Sequence, residues 1–211
     1  MAGHDPVVVK ALADDLVQSS KPSEEVRALS AASRITMDAV QLITRCLTRR
    51  GLPADEPTIW RIRRAMAIPL HDAFQPLPGA TELLRTIHAL GMRTVITSNT
   101  YWRDAQSYLD DFAALGIADL IDGVVTSNDA GHLKPHPAVF EMAMRMVEAP
   151  AARCVVIGNK EDNDVEPALA LGMRAILVYP DDPQPKASRA DAVAPDLWAC
   201  ARVLRDMLEV G

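Results

Sequence analysis

Val95-Ile96-Thr97-Ser98-Asn99 is a short apolar run that stops on a hydroxyl and an amide, the form of a parallel strand delivering polar groups to one end of a sheet. The same plan returns in Val155-Val156-Ile157-Gly158-Asn159, which continues into Lys160-Glu161-Asp162-Asn163-Asp164. Between the two lies Gly131-His132-Leu133-Lys134-Pro135. Strands are expected over 94–97, 123–126, 155–158 and 175–178, all almost wholly apolar, as strands covered on both faces must be. Helical periodicity falls between and after them, over 104–115, 137–147, 164–171 and 196–208, and 180–185 reads as a loop. Alternating strand and helix implies an α/β fold, a Rossmann-like parallel sheet core with right-handed crossovers.

Upstream of Leu77 the texture differs. Val7, Val8, Leu12 and Leu16, then Val26 and Leu29, then Val40, Ile43 and Leu47 recur at helical spacing, with no convincing strand. Gly51-Leu52-Pro53 and Asp55-Glu56-Pro57 divide this region into short helices. Pro78-Gly79 then opens a helix striped by Leu83, Leu84, Ile87 and Leu90, and Gly91 closes it. The expected organisation is a helical cap-like region over 1–76 and an α/β core over 77–211.

Composition narrows the function. The 211 residues are 49% hydrophobic and 24% charged, a globular rather than a disordered chain. A net charge of -6 argues against nucleic acid or an anionic membrane as partner. The basic cluster Arg45, Arg49, Arg50, Arg61, Arg63 and Arg64 fits a solvated helix face. Cys46, Cys154 and Cys200 are odd in number and scattered, so a reducing cytoplasm is the expected compartment. No apolar run is long enough for a membrane span.

Ligands of open parallel sheets bind beyond the carboxyl ends of the strands, where three of these stretches converge. Ser98 and Asn99 can donate to an anionic oxygen, or serve as turn residues. Lys134 precedes Pro135-His136-Pro137, a rigid turn into a helix, and can neutralise a phosphoryl oxygen or lie exposed. Asn163 and Glu166 have the spacing of a capping box. Asp164 can hold a cation or favour the helix dipole, and Glu161 and Asp162 read as solvated charges. His132 and His136 flank Lys134 and either line the site or belong to its loop. Ser98, His136 and Asp164 lack the elbow sequence of a nucleophilic triad.

Order and spacing together resemble the haloacid dehalogenase superfamily. The resemblance runs from about 77 to 178, through Leu77-Pro78-Gly79-Ala80, Ser98-Asn99, the stretch with Gly131, Lys134-Pro135, Pro137 and Phe140, and the block from Gly158 to Gly172-Met173. The helical region before Leu77 is similar to the cap that such proteins insert after their first strand. The resemblance implies that Ser98, Asn99 and Lys134 hold the phosphoryl group, with Lys134 the catalytic charge anchor. It places Asp164 and, more weakly, Asn159 on the Mg²⁺ side. The family's first motif is an apolar strand ending in Asp-x-Asp, which supplies nucleophile and general acid-base.

Two departures follow. Val7-Val8-Val9 runs into Lys10, and Asp14-Asp15 falls in a helical pattern, so no Asp-x-Asp ends a strand ahead of the cap. Asn159 stands where the family usually carries Asp, which weakens a magnesium site. Loss of one member of a catalytic unit costs on the order of 10⁴ to 10⁶ in rate. The expected function is therefore a phosphatase-type hydrolase for a small phosphorylated metabolite, truncated or degenerate and inactive as this chain. The alternatives are a non-catalytic ligand- or partner-binding relative and a 2-haloacid dehalogenase-like protein, since the metal-independent branch carries Asn in the fourth motif. Substrate and oligomeric state are not legible. Without a first strand, those of Val95 and Val155 would face each other across about 9–10 Å, twice the usual spacing. The neighbours close up, the N-terminus fills the gap, or the protein begins upstream.

Overall fold

Two parallel sheets, rather than one, carry the described strands. In this computed structural model, β1 (Val95–Ser98) pairs with β2 (Gly123–Thr126), and Ile96 lies opposite Val124. β3 (Val155–Gly158) pairs with β4 (Arg174–Val178), and β4 pairs in turn with β5 (Ala192–Ala194). The structure describes residues 14, 16, 39–67, 69, 75–179 and 187–209. The expected helical pattern at Val7, Val8, Leu12, Val26 and Leu29 lies outside these residues, as does the expected loop over 180–185.

Eight helices accompany the strands among the described residues: α1 (Ala39–Arg49), α2 (Glu56–Met66), α3 (Ala80–Ala89), α4 (Ala105–Ala114), α5 (Ser127–Ala130), α6 (Pro137–Met146), α7 (Glu166–Ala170) and α8 (Leu197–Glu209). Their starts are written locally. Asp55 caps α2 through the Thr58 amide at 2.9 Å, and Asp104 caps α4 through the Ser107 amide at 2.9 Å. Thr126 and Asp129 close a reciprocal capping box on α5. The box expected at Asn163 and Glu166 does not form. Glu161–Val165 is a wide π-helical turn that runs into α7. Pro167 lacks an amide proton and its ring crowds the carbonyl four residues back, which favours the wider turn.

Side-chain alternation sorts the strands onto two faces. Val155 and Ile157 of β3, with Ile176 and Val178 of β4, pack beneath Leu83 and Ile87 of α3 and Leu204 of α8. Val156, Ala175 and Leu177 point the other way, onto Phe140 of α6 and Val165. The two sheets share these covering helices. Leu84 of α3 also packs with Ile96 and Val124, and α6 also lies against β1 and β2. β1 and β3 therefore occupy one layer, yet they do not pair among the described residues. The neighbours have not closed up.

The helices before Gln75 have their own cluster, in which Leu42, Ile43, Cys46 and Leu47 of α1 meet Ile59 of α2 and Leu16. Trp102, from the loop after β1, packs against it. Arg45, Arg49, Arg50, Arg61 and Arg64 are exposed, as a solvated face requires. Arg63 departs from that expectation: it is half-buried, 4.9 Å from the Trp60 ring centre and 3.9 Å from the Asp104 carboxylate. Partial burial raises the Asp104 carboxyl, but hydrogen bonds from Ser107 and the Arg63 charge outweigh it and leave it below its ordinary value. Glu161 is also not a free loop charge. It accepts from Ser188 Oγ and the Arg189 amide, each at 2.8 Å, and so ties down the approach to β5. That three-residue strand was not expected from the sequence. The three thiols are free, and burial, with Asp196 adding, pushes Cys200 up to about 12.

Two glycines separate a hard contact from a soft one. A Cβ on Gly158 would meet Asp164 Cγ at 2.6 Å and Oδ2 at 2.7 Å, whereas one on Gly123 would overlap the Met146 sulfur. Met146 is 45% exposed and can swing away. Urea unfolding should show Gly158→Ala destabilised by about 2–3 kcal/mol and Gly123→Ala by less than about 1 kcal/mol.

Candidate functional site

The carboxyl ends of β1 and β3 meet at Lys134. Its Nζ donates to Asp164 Oδ1 at 2.7 Å and to the Thr97 carbonyl at 3.2 Å, with Thr97 Oγ1 at 3.5 Å. The backbone of Lys134 is clamped by one side chain: its amide donates to Asn99 Oδ1 at 2.7 Å, and Asn99 Nδ2 donates to its carbonyl at 3.0 Å. A residue at the end of β1 thus sets the loop that carries the lysine. The loop after Asn99 is fixed in turn from α5. The Ser127 hydroxyl accepts from the Thr100 amide at 2.9 Å and lies 2.8 Å from the Thr100 carbonyl, and Asn128 Nδ2 donates to the Arg103 carbonyl at 2.9 Å.

Asp164 is 6% exposed. Its Oδ2 accepts from the Lys160 amide at 3.2 Å, so the carboxylate closes the turn that presents it. Gly158 leaves the room into which this side chain fits. The structure brings Lys134, Asn99 and Asp164 together, but not every expected donor. Ser98 Oγ lies 2.8 Å from the Tyr108 hydroxyl, on the side of α4. Adjacent residues of a strand point to opposite faces, so Thr97 and Ser98 cannot both face Lys134. Asn99 positions the lysine backbone instead of offering both amide atoms to an anion. Asn159 is exposed and makes none of the contacts that join Lys134 to Asp164.

His132 and His136 stack with ring centres 3.8 Å apart at 14°. His136 Nδ1 accepts from the Ala138 amide at 3.2 Å and caps α6, which is a structural role beside the site. Thr97, Ser127, Asn128 and the Lys160 amide were not singled out in the sequence. Strand alternation is the signal that would have exchanged Ser98 for Thr97.

Chemically, this is a cation held at the mouth of two sheets. An ammonium has three donors, and the 3.5 Å separation from Thr97 Oγ1 is too long for a good bond. One donor can therefore turn to an oxygen of a bound anion, and the Lys134 side chain keeps 13% of its surface in contact with solvent. The residues fit magnesium poorly. Asp164 is the one carboxylate the structure brings to Lys134 among the described residues, both its oxygens already accept hydrogen bonds, and Asn159 contributes no charge.

Residues 4–172 match the family model described as haloacid dehalogenase-like hydrolase, and the chain belongs to that family. Glyceraldehyde 3-phosphate phosphatase of Methanothermobacter thermautotrophicus is 35% identical over 104 residues, 49% of this chain and 45% of that protein. Ribulose-1,5-bisphosphate 5-phosphatase of Halopiger xanaduensis is 27% identical, over 58% of this chain and 50% of that protein. The chain spans about half the length of these relatives. Among solved structures, a 2-haloacid dehalogenase of Pseudomonas syringae pv. tomato superposes with a TM-score of 0.66 at 25% identity, over 96% of this chain and 92% of that one. No helix among the described residues is long and apolar enough to cross a membrane.

Burial, with the His132 charge adding and Glu141 opposing, holds His136 below the ordinary histidine value. The folded state therefore binds its proton less readily than the unfolded chain does. Stability is full above the unfolded value of about 6.5 and falls as pH drops through the lower folded value. Thermal unfolding followed from about pH 7 to pH 5 should lose this slope in His136→Asn, which keeps the cap and removes the titration.

Proposed function

We propose that this chain binds a small phosphorylated metabolite at Lys134, as a phosphatase-type member of its family, and does not complete hydrolysis by itself. The single observation behind this reading is the Lys134 ammonium, presented at the strand ends by Asn99 and oriented by Asp164 and Thr97. A pre-oriented cation in a half-buried site is what a phosphoryl oxygen needs. The relatives named as sugar-phosphate phosphatases support the substrate class. In this proposal residues 1–76 form the cap, 77–211 form the core, and the protein works in the cytoplasm. Lys134 holds the anion, Asp164 keeps the lysine aimed, and no acid-base step is assigned to another described residue.

Calorimetric titration with inorganic phosphate should show binding that Lys134→Met abolishes and Asn159→Ala retains, with circular dichroism to confirm folding. Hydrolysis of p-nitrophenyl phosphate should stay at background with or without added Mg²⁺. Unchanged phosphate binding in a folded Lys134→Met protein, or turnover well above background, would refute the reading. A second reading rests on Asn159 and the dehalogenase superposition. Chloride release from 2-chloropropionate without added metal would select it.

A further inference from the structure

The loop after β1 is gripped at successive residues. Asn99 holds the Lys134 backbone through both its amide atoms. Thr100 gives its amide to the Ser127 hydroxyl at 2.9 Å, and that hydroxyl donates back to the Thr100 carbonyl at 2.8 Å. Asn128 Nδ2 donates to the carbonyls of Tyr101 and Arg103, at 3.3 and 2.9 Å, and so brackets Trp102. Arg103 closes the far end. It is buried, paired with Asp111, and 4.5 Å from the ring centre of Tyr108, whose hydroxyl meets Ser98. The Trp102 side chain leaves this frame and packs against the cluster of α1 and α2. Ser127 and Asn128 stand on α5, only four residues long, and Gly131, at φ 72°, turns the chain from it toward Lys134. The element that grips the loop is thus the one that delivers the lysine.

We propose that the 99–103 loop and α5 form a relay through which α1 and α2 set the anion affinity of Lys134, with Trp102 and Asn128 as its positioning residues. A loop tied at four of its five residues has little freedom to absorb a displacement of Trp102. The movement passes to Thr100 and Ser127 and to Arg103 and Asn128, and from there to Asn99 and the segment 131–134. The coupling is reciprocal: an anion held by Lys134 seats Trp102 more firmly among the helices before Gln75. The affinity part of this inference rests on the phosphate-binding reading, whereas the coupling of Trp102 to the Lys134 backbone does not.

Two readouts on the full chain test it, calorimetric titration with inorganic phosphate and hydrogen exchange of the Lys134 amide, which Asn99 holds. Trp102→Ala and Asn128→Ala should each weaken phosphate binding about ten-fold and speed that exchange. Trp102→Phe should restore both, and Trp198→Ala on α8 should change neither. The double variant Trp102→Ala/Asn128→Ala should bind no more weakly than the weaker single variant, because the second substitution cuts a relay already broken. Losses that multiply would overturn the proposal, and so would parental affinity and exchange in Asn128→Ala, which leaves the cap cluster intact. If the parent protein binds no phosphate, the phosphate reading fails, and the exchange of the Lys134 amide alone decides the relay: faster in both single variants upholds it, unchanged in either refutes it.

Discussion

One ammonium group bridges the two sheets at their carboxyl ends. Lys134 bonds to the carbonyl of Thr97 on one side and to the Asp164 carboxylate on the other. The side chains are 13% and 8% exposed, so solvent screens the attraction little. Such a pair contributes modestly when intact, but removing one partner strands a poorly solvated charge. The cost of disruption, more than the strength of the bond, makes the contact a constraint. Asn99 extends it to the backbone, because the amide that fixes the lysine loop stands at the end of β1.

The layer itself is held by helices rather than by a continuous ladder. α3 sends Leu83 and Ile87 to one sheet and Leu84 to the other, and α6 does the same on the opposite face. This packing places β1 and β3 against the same helices although they share no described hydrogen bonds. β4 has a neighbour on each side and is buried, and β2, with β1 as its described neighbour, is buried by α4 and α6 packed against it. Val95, Ile96, Val155 and Val156 are half-buried by contrast.

Much of this was legible in the sequence because local rules were obeyed. The apolar runs at 95–98 and 155–158 have the composition of covered parallel strands, and Pro137 and Gly91 mark a helix start and a helix end. Lys134 was recognisable because it stands beside a rigid proline turn, whereas Asp164, read as opening a helix, lies inside the wide turn before α7. What was hidden depended on direction and tertiary contact. Ser98 turns to Tyr108 because of the pleat, Asn99 serves a backbone thirty-five residues away, and Glu161 reaches across to Ser188. The wide turn at Glu161–Val165 was hidden for a different reason: Asn163 and Glu166 have capping-box spacing, but Pro167 decides the winding.

The most direct measurement is a double-mutant cycle on Lys134→Met and Asp164→Asn, read by urea unfolding. If this pair ties the two sheets, each single substitution costs on the order of 3 kcal/mol, and the double variant costs clearly less than the two together. Costs that simply add, within about 0.5 kcal/mol, would show that the two side chains act independently and would contradict the account.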